Sequence, residues 1–257
     1  MGLQKTYSSA YGLYVSKIEA IKLEGIRQRK GKCESCEGLE ACQYDESGTG
    51  YEQMASTYEV NGVRVLYFGV KRCRYLKQRQ QEERTERRLL QSKIPGVYSK
   101  KGFEDYEVHE GNMEAVAKGL KLGSIYIYSE ERRVGKTMLA SLIGNELIKR
   151  GEGVLFTTVG ELMIKLRYNA EGYEEAMRAV REVKTLILDD LGSERESEYN
   201  GEQIYMIIDY RVREGLRTII TSNLSIREIS GRYGANGERI AERIREVSEI
   251  VRIGIKR

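Results

Sequence analysis

From residue 95 onward the apolar residues gather in short runs: "SIYIY" at 124–128, "GVLFTT" at 153–158, "VKTLIL" at 183–188, "LRTIIT" at 216–221 and "EIVRIG" at 249–254. Each is rich in Ile, Val, Thr, Tyr or Phe and has the length of a buried strand rather than of a helix. Between them lie stretches with helical spacing that begin near Thr137, Gly160, Gly201 and Gly237. This regular alternation predicts an α/β fold, a five-stranded parallel sheet with helices on both faces. In the last helix Ile240, Ile244 and Val247 are expected to form a buried stripe.

Ahead of residue 95 the pattern is different. Tyr14, Ile18 and Ile21 share one face at helical spacing and predict a first helix from about Tyr11. "STYEVNGVRVLYFGV" reads as a hairpin, because Asn61-Gly62 suits the two positive-φ positions of a tight primed turn. "KRCRYLKQRQQEERTERRLLQSK" has little periodic apolar content and is expected to be an exposed helical connector from about residue 77. Ile94-Pro95 ends it, since a residue before proline is pushed out of helical geometry. The expected organisation is a small α+β domain at 1–76, a charged linker at 77–94 and the α/β domain at 95–257.

Composition narrows the class. A hydrophobic share of 40% supports a real core, while 32% charged residues and a single proline suit a helix-rich soluble chain. The net charge of +4 is mild, so a basic surface must come from local clustering. No apolar run approaches a membrane span, and "MGLQKTYSSAYGLYVSK" lacks the apolar core of a signal peptide. A cytoplasmic protein with no membrane partner is expected. In such a compartment the four cysteines, Cys33, Cys36, Cys42 and Cys73, point to metal rather than disulfide. A Cys-x-x-Cys knuckle brings two thiolates to one tetrahedral ion, and the hairpin can return Cys73 to it, so a structural Zn²⁺ is expected. The plainer reading is four small buried side chains. The single histidine, His109, lies outside the cluster.

Candidate chemistry concentrates where strands end. After "SIYIY" comes Gly135-Lys136-Thr137, the way a phosphate-binding loop enters its helix. Backbone from Val134 to Met138 would cradle phosphate, Lys136 would reach the β and γ phosphates of ATP, and the Thr137 hydroxyl would ligate Mg²⁺. The strand "VKTLIL" ends in Asp189-Asp190. Asp189 can hold Mg²⁺ through water, and Asp190 stands where a water-activating base is needed. An exposed turn would also explain two acids after a strand. Asn223 ends the next strand, placed to orient the attacking water, though alone it reads as a turn residue. Arg239 and Arg243 lie one turn apart on the last helix, a pair that is usually solvated. In an ATPase that assembles head to tail, such an arginine can reach a neighbour's γ-phosphate. The loop is unusual: G-x-x-x-x-G-K-[ST] wants glycine at 130, and this chain has Glu130.

These stretches, with "CESCEGLEAC", "IPGVYSKKGFEDYEVHEGN", "LILDDLGSERESEYNGEQIYMIIDYR", "TIITSNLS" and "GERIAERIRE", resemble the bacterial replicative-helicase loaders of the DnaI/DnaC type, members of the AAA+ ATPases. The resemblance is closer to DnaI, because it runs from about Cys33 to the C-terminus. It implies an ATPase that binds a hexameric replicative DNA helicase and helps place it on single-stranded DNA, with self-association through the ATPase domain. By motif matching, Lys136 and Thr137 fall in Walker A, Asp189 and Asp190 in Walker B, and Asn223 in sensor I. Arg243 matches the arginine finger, Arg239 a second arginine of that box, and Arg257 sensor II. The region holding Lys165, Arg167, Arg178 and Arg181 contributes DNA contact in such loaders, and the N-terminal domain is the expected helicase platform. DnaI-type domains can use a histidine ligand where this chain has residues near Tyr51-Glu52, hence the all-cysteine expectation. Loaders typically carry glycine where this chain has Glu130 and Arg133. Loss of the first glycine costs about 1 kcal/mol or more in backbone strain, and the carboxylate adds repulsion against phosphate. Arg132 and Arg133 are expected to offset Glu130 and Glu131. Nucleotide is therefore expected to bind, more weakly than with an all-glycine loop, and hydrolysis is the less assured step. The alternatives are an IstB-type transposition helper ATPase and a non-hydrolysing nucleotide-binding adaptor of phage or mobile-element origin.

Overall fold

A computed structural model describes residues 74–168 and 170–255, with the backbone of four strands before them; of residues 168, 170 and 171 only the backbone is described. The chain divides into two compact units, Met1–Arg84 and Thr85–Arg257. The four cysteines, the Asn61-Gly62 turn and Arg257 lie outside the described residues.

In the first unit, β3 (Tyr51–Val60) and β4 (Val63–Arg72) pair antiparallel from Val60↔Val63 to Tyr51↔Arg72, the hairpin that the sequence predicts. Two short strands, β1 (Tyr7–Ser8) and β2 (Leu13–Tyr14), extend it to a sheet of order β1-β2-β4-β3. The expected helix from Tyr11 is therefore corrected at Leu13–Tyr14, which pair with β1 and, at Leu13↔Arg64, with β4. Three apolar residues at helical spacing are a weak signal, and pairing with a neighbouring strand overrides it.

The charged connector is helix α1 (Arg74–Ser92). After a short helix α2 (Met113–Gly119), the second unit builds a parallel sheet from β5 (Ile125–Tyr128), β6 (Val154–Thr158), β7 (Thr185–Leu191), β8 (Arg217–Ser222) and β9 (Glu249–Arg252). The order is β6-β7-β8-β5-β9, so β5 lies between the last two strands while the next strand in sequence sits at the far edge. Such a switch in winding direction opens a crevice at the carboxyl ends of the strands, where ligands bind.

Alternation along each strand fills two cores. Ile125, Ile127, Ile187 and Ile219 face Leu139, Leu142, Ile143 and Leu147 of α3 (Lys136–Lys149). On the other face Tyr126, Leu186, Leu188 and Ile220 meet α4 (Val159–Tyr168), α5 (Ala170–Glu182), α6 (Glu198–Arg213), α7 (Ile226–Arg232) and α8 (Ala235–Val247). Each buried aliphatic side chain contributes about 1.5–3 kcal/mol. Helices therefore cover both faces of a parallel sheet, as the alternation predicts. Three details differ. β7 runs on through both acids to Leu191, the stretch after β6 splits into two helices, and Val247 is 40% exposed while Ile240 and Ile244 are buried. Val247 is the last helical residue, where the chain turns out toward β9.

One polar residue ties the second layer to the sheet. Arg211 of α6 is fully buried. Its guanidinium donates to the carbonyls of Val180, Arg181 and Val183 at 2.8, 3.0 and 2.9 Å, to Thr218 Oγ1 at 3.0 Å and to the Arg217 carbonyl. It thus caps the C-terminal end of α5, where unpaired carbonyls and the helix dipole both favour a cation. Burial pushes it down to about 10, which leaves it charged at neutral pH. Arg211→Met is expected to cost about 4 kcal/mol, roughly 1 kcal/mol for each of the carbonyls of Val180, Arg181, Val183 and Arg217 left without this donor. Arg211→Lys recovers only part of this, because an ammonium cannot reproduce the planar five-donor fork. Urea midpoints with unchanged slopes would measure both.

Candidate nucleotide site

β5 delivers the chain to Ser129, whose N–H donates to the Ser222 carbonyl at 3.2 Å and holds the loop start against β8. The loop ends at Gly135, the N-cap of α3, in the left-handed region at φ 89°. Glycine is required there twice over, since a Cβ would also lie 2.8 Å from the Tyr106 hydroxyl. That hydroxyl donates to the Gly135 carbonyl at 3.4 Å, and burial pushes the phenol up to about 12. No side chain caps α3. Its first amides and its dipole therefore face the loop, the arrangement that suits a phosphate.

The expected strain at Glu130 is corrected. In the loop the non-glycine residue with left-handed backbone is Arg133, at φ 60°, so the cost of a missing glycine falls there. Glu130 takes its ion pair from outside the loop rather than from Arg132 or Arg133. Both are exposed, and among the described residues neither forms an ion pair with Glu130, whose carboxylate is held by Arg252 of β9.

Lys136 is buried at the start of α3. Its ammonium donates to the carbonyls of Ser129 at 3.3 Å and Glu131 at 3.0 Å, and to Asn223 Oδ1 at 2.8 Å. Desolvation lowers its pKa, and the charges of Asp190 and Asp189 act against that. Asn223 then donates from Nδ2 to Asp190 Oδ1 at 2.8 Å. In parallel, the Thr137 hydroxyl donates to Asp189 Oδ2 at 3.2 Å. Residues of β7, the loop helix and the segment just after β8, 87 positions apart at the widest, thus form two chains of hydrogen bonds that Thr221 joins.

Adjacent residues on a regular strand point to opposite faces. Here the β7–β8 register shifts between Leu188 and Leu191, and Asp190 adopts φ 61°, so both acids reach the site. Thr221 of β8 holds this kink. Its hydroxyl donates to Asp189 Oδ1 at 2.6 Å and accepts from the Asp190 N–H at 2.9 Å. Sequence reasoning missed Thr221; its one signal is a hydroxyl that directly follows the apolar pair Ile219-Ile220 near the carboxyl end of β8. Desolvation raises the Asp189 pKa, while the two threonine hydroxyls pull it down.

The other candidates stand apart. Arg243 bonds Asp209 at 2.9 Å and Glu246 at 2.9 Å, and Arg239 stacks over the Tyr205 ring at 3.8 Å. None of these contacts reaches the lysine site. Arg167 donates to Asn200 at 3.1 Å and stacks over Tyr199, while Lys165 is exposed beside a 240 Å³ cavity. Val134 and Met138 pack partly buried against the first core.

With this geometry in hand, the relatives can be weighed. Residues 75–255 match the family described as IstB-like ATP binding protein. The chain belongs to this family. It is similar to the replicative helicase loader DnaC of Buchnera aphidicola subsp. Baizongia pistaciae, 33% identical over 62% of this chain and 69% of that protein. DnaC of Escherichia coli is 29% identical over 69% of this chain and 76% of that protein. Among solved structures, the crystal structure of DnaI is 26% identical, with a TM-score of 0.57 over 63% of this chain and 93% of that chain.

The residues present fit the ligand of an ATP-binding family. The first amides of α3 and the Lys136 ammonium suit phosphate, and the neighbouring Thr137 hydroxyl and Asp189 carboxylate are the hard oxygen donors that magnesium takes. Among the described residues no cluster of three or more His, Cys, Asp or Glu side chains forms a metal site.

Asp189 gives a pH prediction. Its folded pKa lies above the unfolded value, so the folded state binds this proton more tightly. The stability it contributes is complete below about pH 3.9 and is lost as pH rises through the raised value. Asp189→Asn removes that loss. The variant is expected to resist urea better than wild type at pH 7, with the gap narrowing toward pH 4. Equal midpoints at pH 7 would contradict the burial argument.

Proposed function

We propose that this chain is a helicase loader: it binds ATP and Mg²⁺, engages a hexameric replicative DNA helicase and delivers it to single-stranded DNA. The observation that carries the reading is the joined network of Lys136, Asn223, Asp190, Thr137 and Asp189 at the sheet's switch point. The similarity to DnaC and DnaI loaders supports the partner. In this reading Lys136 holds the β and γ phosphates, and Thr137 and Asp189 hold magnesium. The bound ion supplies neutralisation of charge on the phosphoryl oxygens. Asn223 fixes one oxygen of Asp190, which leaves the other to take a proton from water. Arg243 acts on the neighbouring subunit's nucleotide, with Arg239 beside it, and Arg257 is the candidate sensor II residue. The cysteine set Cys33, Cys36, Cys42 and Cys73 would hold Zn²⁺ in the 1–76 domain, the proposed helicase platform. Lys165 and Arg167 are the candidate DNA contacts.

A second reading, the non-hydrolysing adaptor, is favoured by one feature: Lys136 spends all three hydrogens on internal acceptors. Steady-state ATPase with and without single-stranded DNA separates it from the enzyme. Capture of a hexameric helicase separates the loader from a transposition helper.

Lys136→Ala is expected to weaken binding of a fluorescent ATP analogue at least tenfold, about 1.4 kcal/mol. Unchanged affinity would overturn the nucleotide reading. Arg243→Ala is expected to bind ATP normally but to lose turnover by about 10³. Mixing it with Lys136→Ala subunits restores activity if the arginine works between subunits, and a mixture as inactive as its parts would refute that role.

A further inference from the structure

Glu130 opens the loop that faces Lys136, and its carboxylate is held from outside the loop. Its partner, Arg252, is the last residue of β9 and lies in register with Tyr128, the last residue of β5. The backbone beneath Arg252 is fixed on both sides of the following residue: Ile253 N–H donates to the Tyr128 carbonyl at 2.9 Å, and Gly254 N–H to the Gly111 carbonyl at 2.7 Å. The arginine therefore stands on a rigid strand end, with its guanidinium at the rim of the loop.

Both side chains are more than half exposed, so the pair adds little to stability. Its consequence is where it keeps the negative charge. The three acceptors of the Lys136 ammonium are neutral oxygens. A carboxylate released six positions upstream on the same loop would be a stronger partner than any of them, because an ionised acceptor forms the stronger bond. It would then compete with phosphate for the lysine. A second acid adds to this pressure. One carboxylate oxygen of Glu131 is buried with no hydrogen-bond partner among the described residues, so the loop carries a second acid, whose charge the Arg252 guanidinium also attracts.

We propose that Arg252 is a positioning residue for the nucleotide site: it latches Glu130 at the rim and so keeps Lys136 on neutral acceptors that a phosphate can displace. A loop that carries an acid in place of glycine works because a distant strand supplies the compensating cation. The inference rests on the nucleotide reading of this site.

The test is a thermodynamic cycle on the full chain, reading affinity for a fluorescent ATP analogue with Mg²⁺. Arg252→Gln is expected to weaken binding about tenfold. Glu130→Gln is expected to bind at least as tightly as wild type, and Glu130→Gln/Arg252→Gln to match Glu130→Gln, since removing the acid removes the need for the latch. Arg252→Lys keeps the charge and is expected to recover most of the loss. Thermal midpoints of all four variants should stay near wild type, because the pair is exposed. A loss in Arg252→Gln that persists in the Glu130→Gln background would overturn the proposal, as it would mean that Arg252 acts on the nucleotide directly. Unchanged affinity in Arg252→Gln would overturn it as well. If wild type and Lys136→Ala bind alike, the nucleotide reading fails and takes the latch with it; if they differ while the cycle is additive, the latch alone fails.

Discussion

A lysine ammonium buried among neutral oxygens is the constraint on which this site depends. Lys136 gives its hydrogens to two carbonyls and an amide, and its nearest acids are engaged elsewhere, Asp190 with Asn223 and Asp189 with two hydroxyls. Burial disfavours the charged form of Lys136 and of Asp189 alike. A direct ion pair would relieve both, but the Asp189 oxygens are taken by Thr137 and Thr221, and Lys136 bonds Asn223 instead. The site stays electrostatically unfinished. A polyanion would complete the lysine and a dication would complete Asp189, which is the charge pattern of a magnesium–nucleotide complex.

Holding such an arrangement needs backbone that a regular strand and helix do not provide. Gly135 is left-handed where the loop becomes α3, and Asp190 is left-handed where β7 shifts register. The second kink turns an acid that would face one core toward the same edge as its neighbour. It is secured by a single hydroxyl, Thr221 Oγ1, which serves the carboxylate of one acid and the amide of the next. Behind it the core is rigid: Ile127, Ile187 and Ile219 are all buried under α3. Strain at functional positions persists only where the surroundings over-determine it, and here sheet and helix do so from both sides.

How much of this could be read from the chain follows from the range of each interaction. The five strands were legible, because a buried strand writes itself as a local apolar run, and the hairpin was legible in Asn61-Gly62. Lys136, Thr137, Asp189, Asp190 and Asn223 could be named because each sits just beyond such a run, and the structure brings the five together. What escaped depends on contacts distant in sequence. Thr221 matters through residues 31 and 32 positions away, Arg211 through carbonyls 28 to 31 positions away, and Arg252 through a loop 122 positions away. The helix expected from Tyr11 failed at Leu13–Tyr14 for the same reason, since pairing with Arg64 decided it.

The two departures from glycine in the loop pose different physical problems. At position 130 the difficulty is a side-chain charge, and a charge can be answered from a distance, as Arg252 answers it. At position 133 the difficulty is the backbone, and no distant residue can lower the cost of a left-handed arginine, about 1–2 kcal/mol. The bond from Lys136 to the Glu131 carbonyl and the tight seat of Gly135 against Tyr106 hold the loop in that form. Yet an arginine there visits fewer conformations than glycine would, so the loop has less entropy left to lose when it closes on a ligand. Part of the ordering that binding requires is thus already made on folding. The acid and the arginine therefore act in opposite directions on affinity, and the stiffer loop follows from the same substitution that makes it unusual.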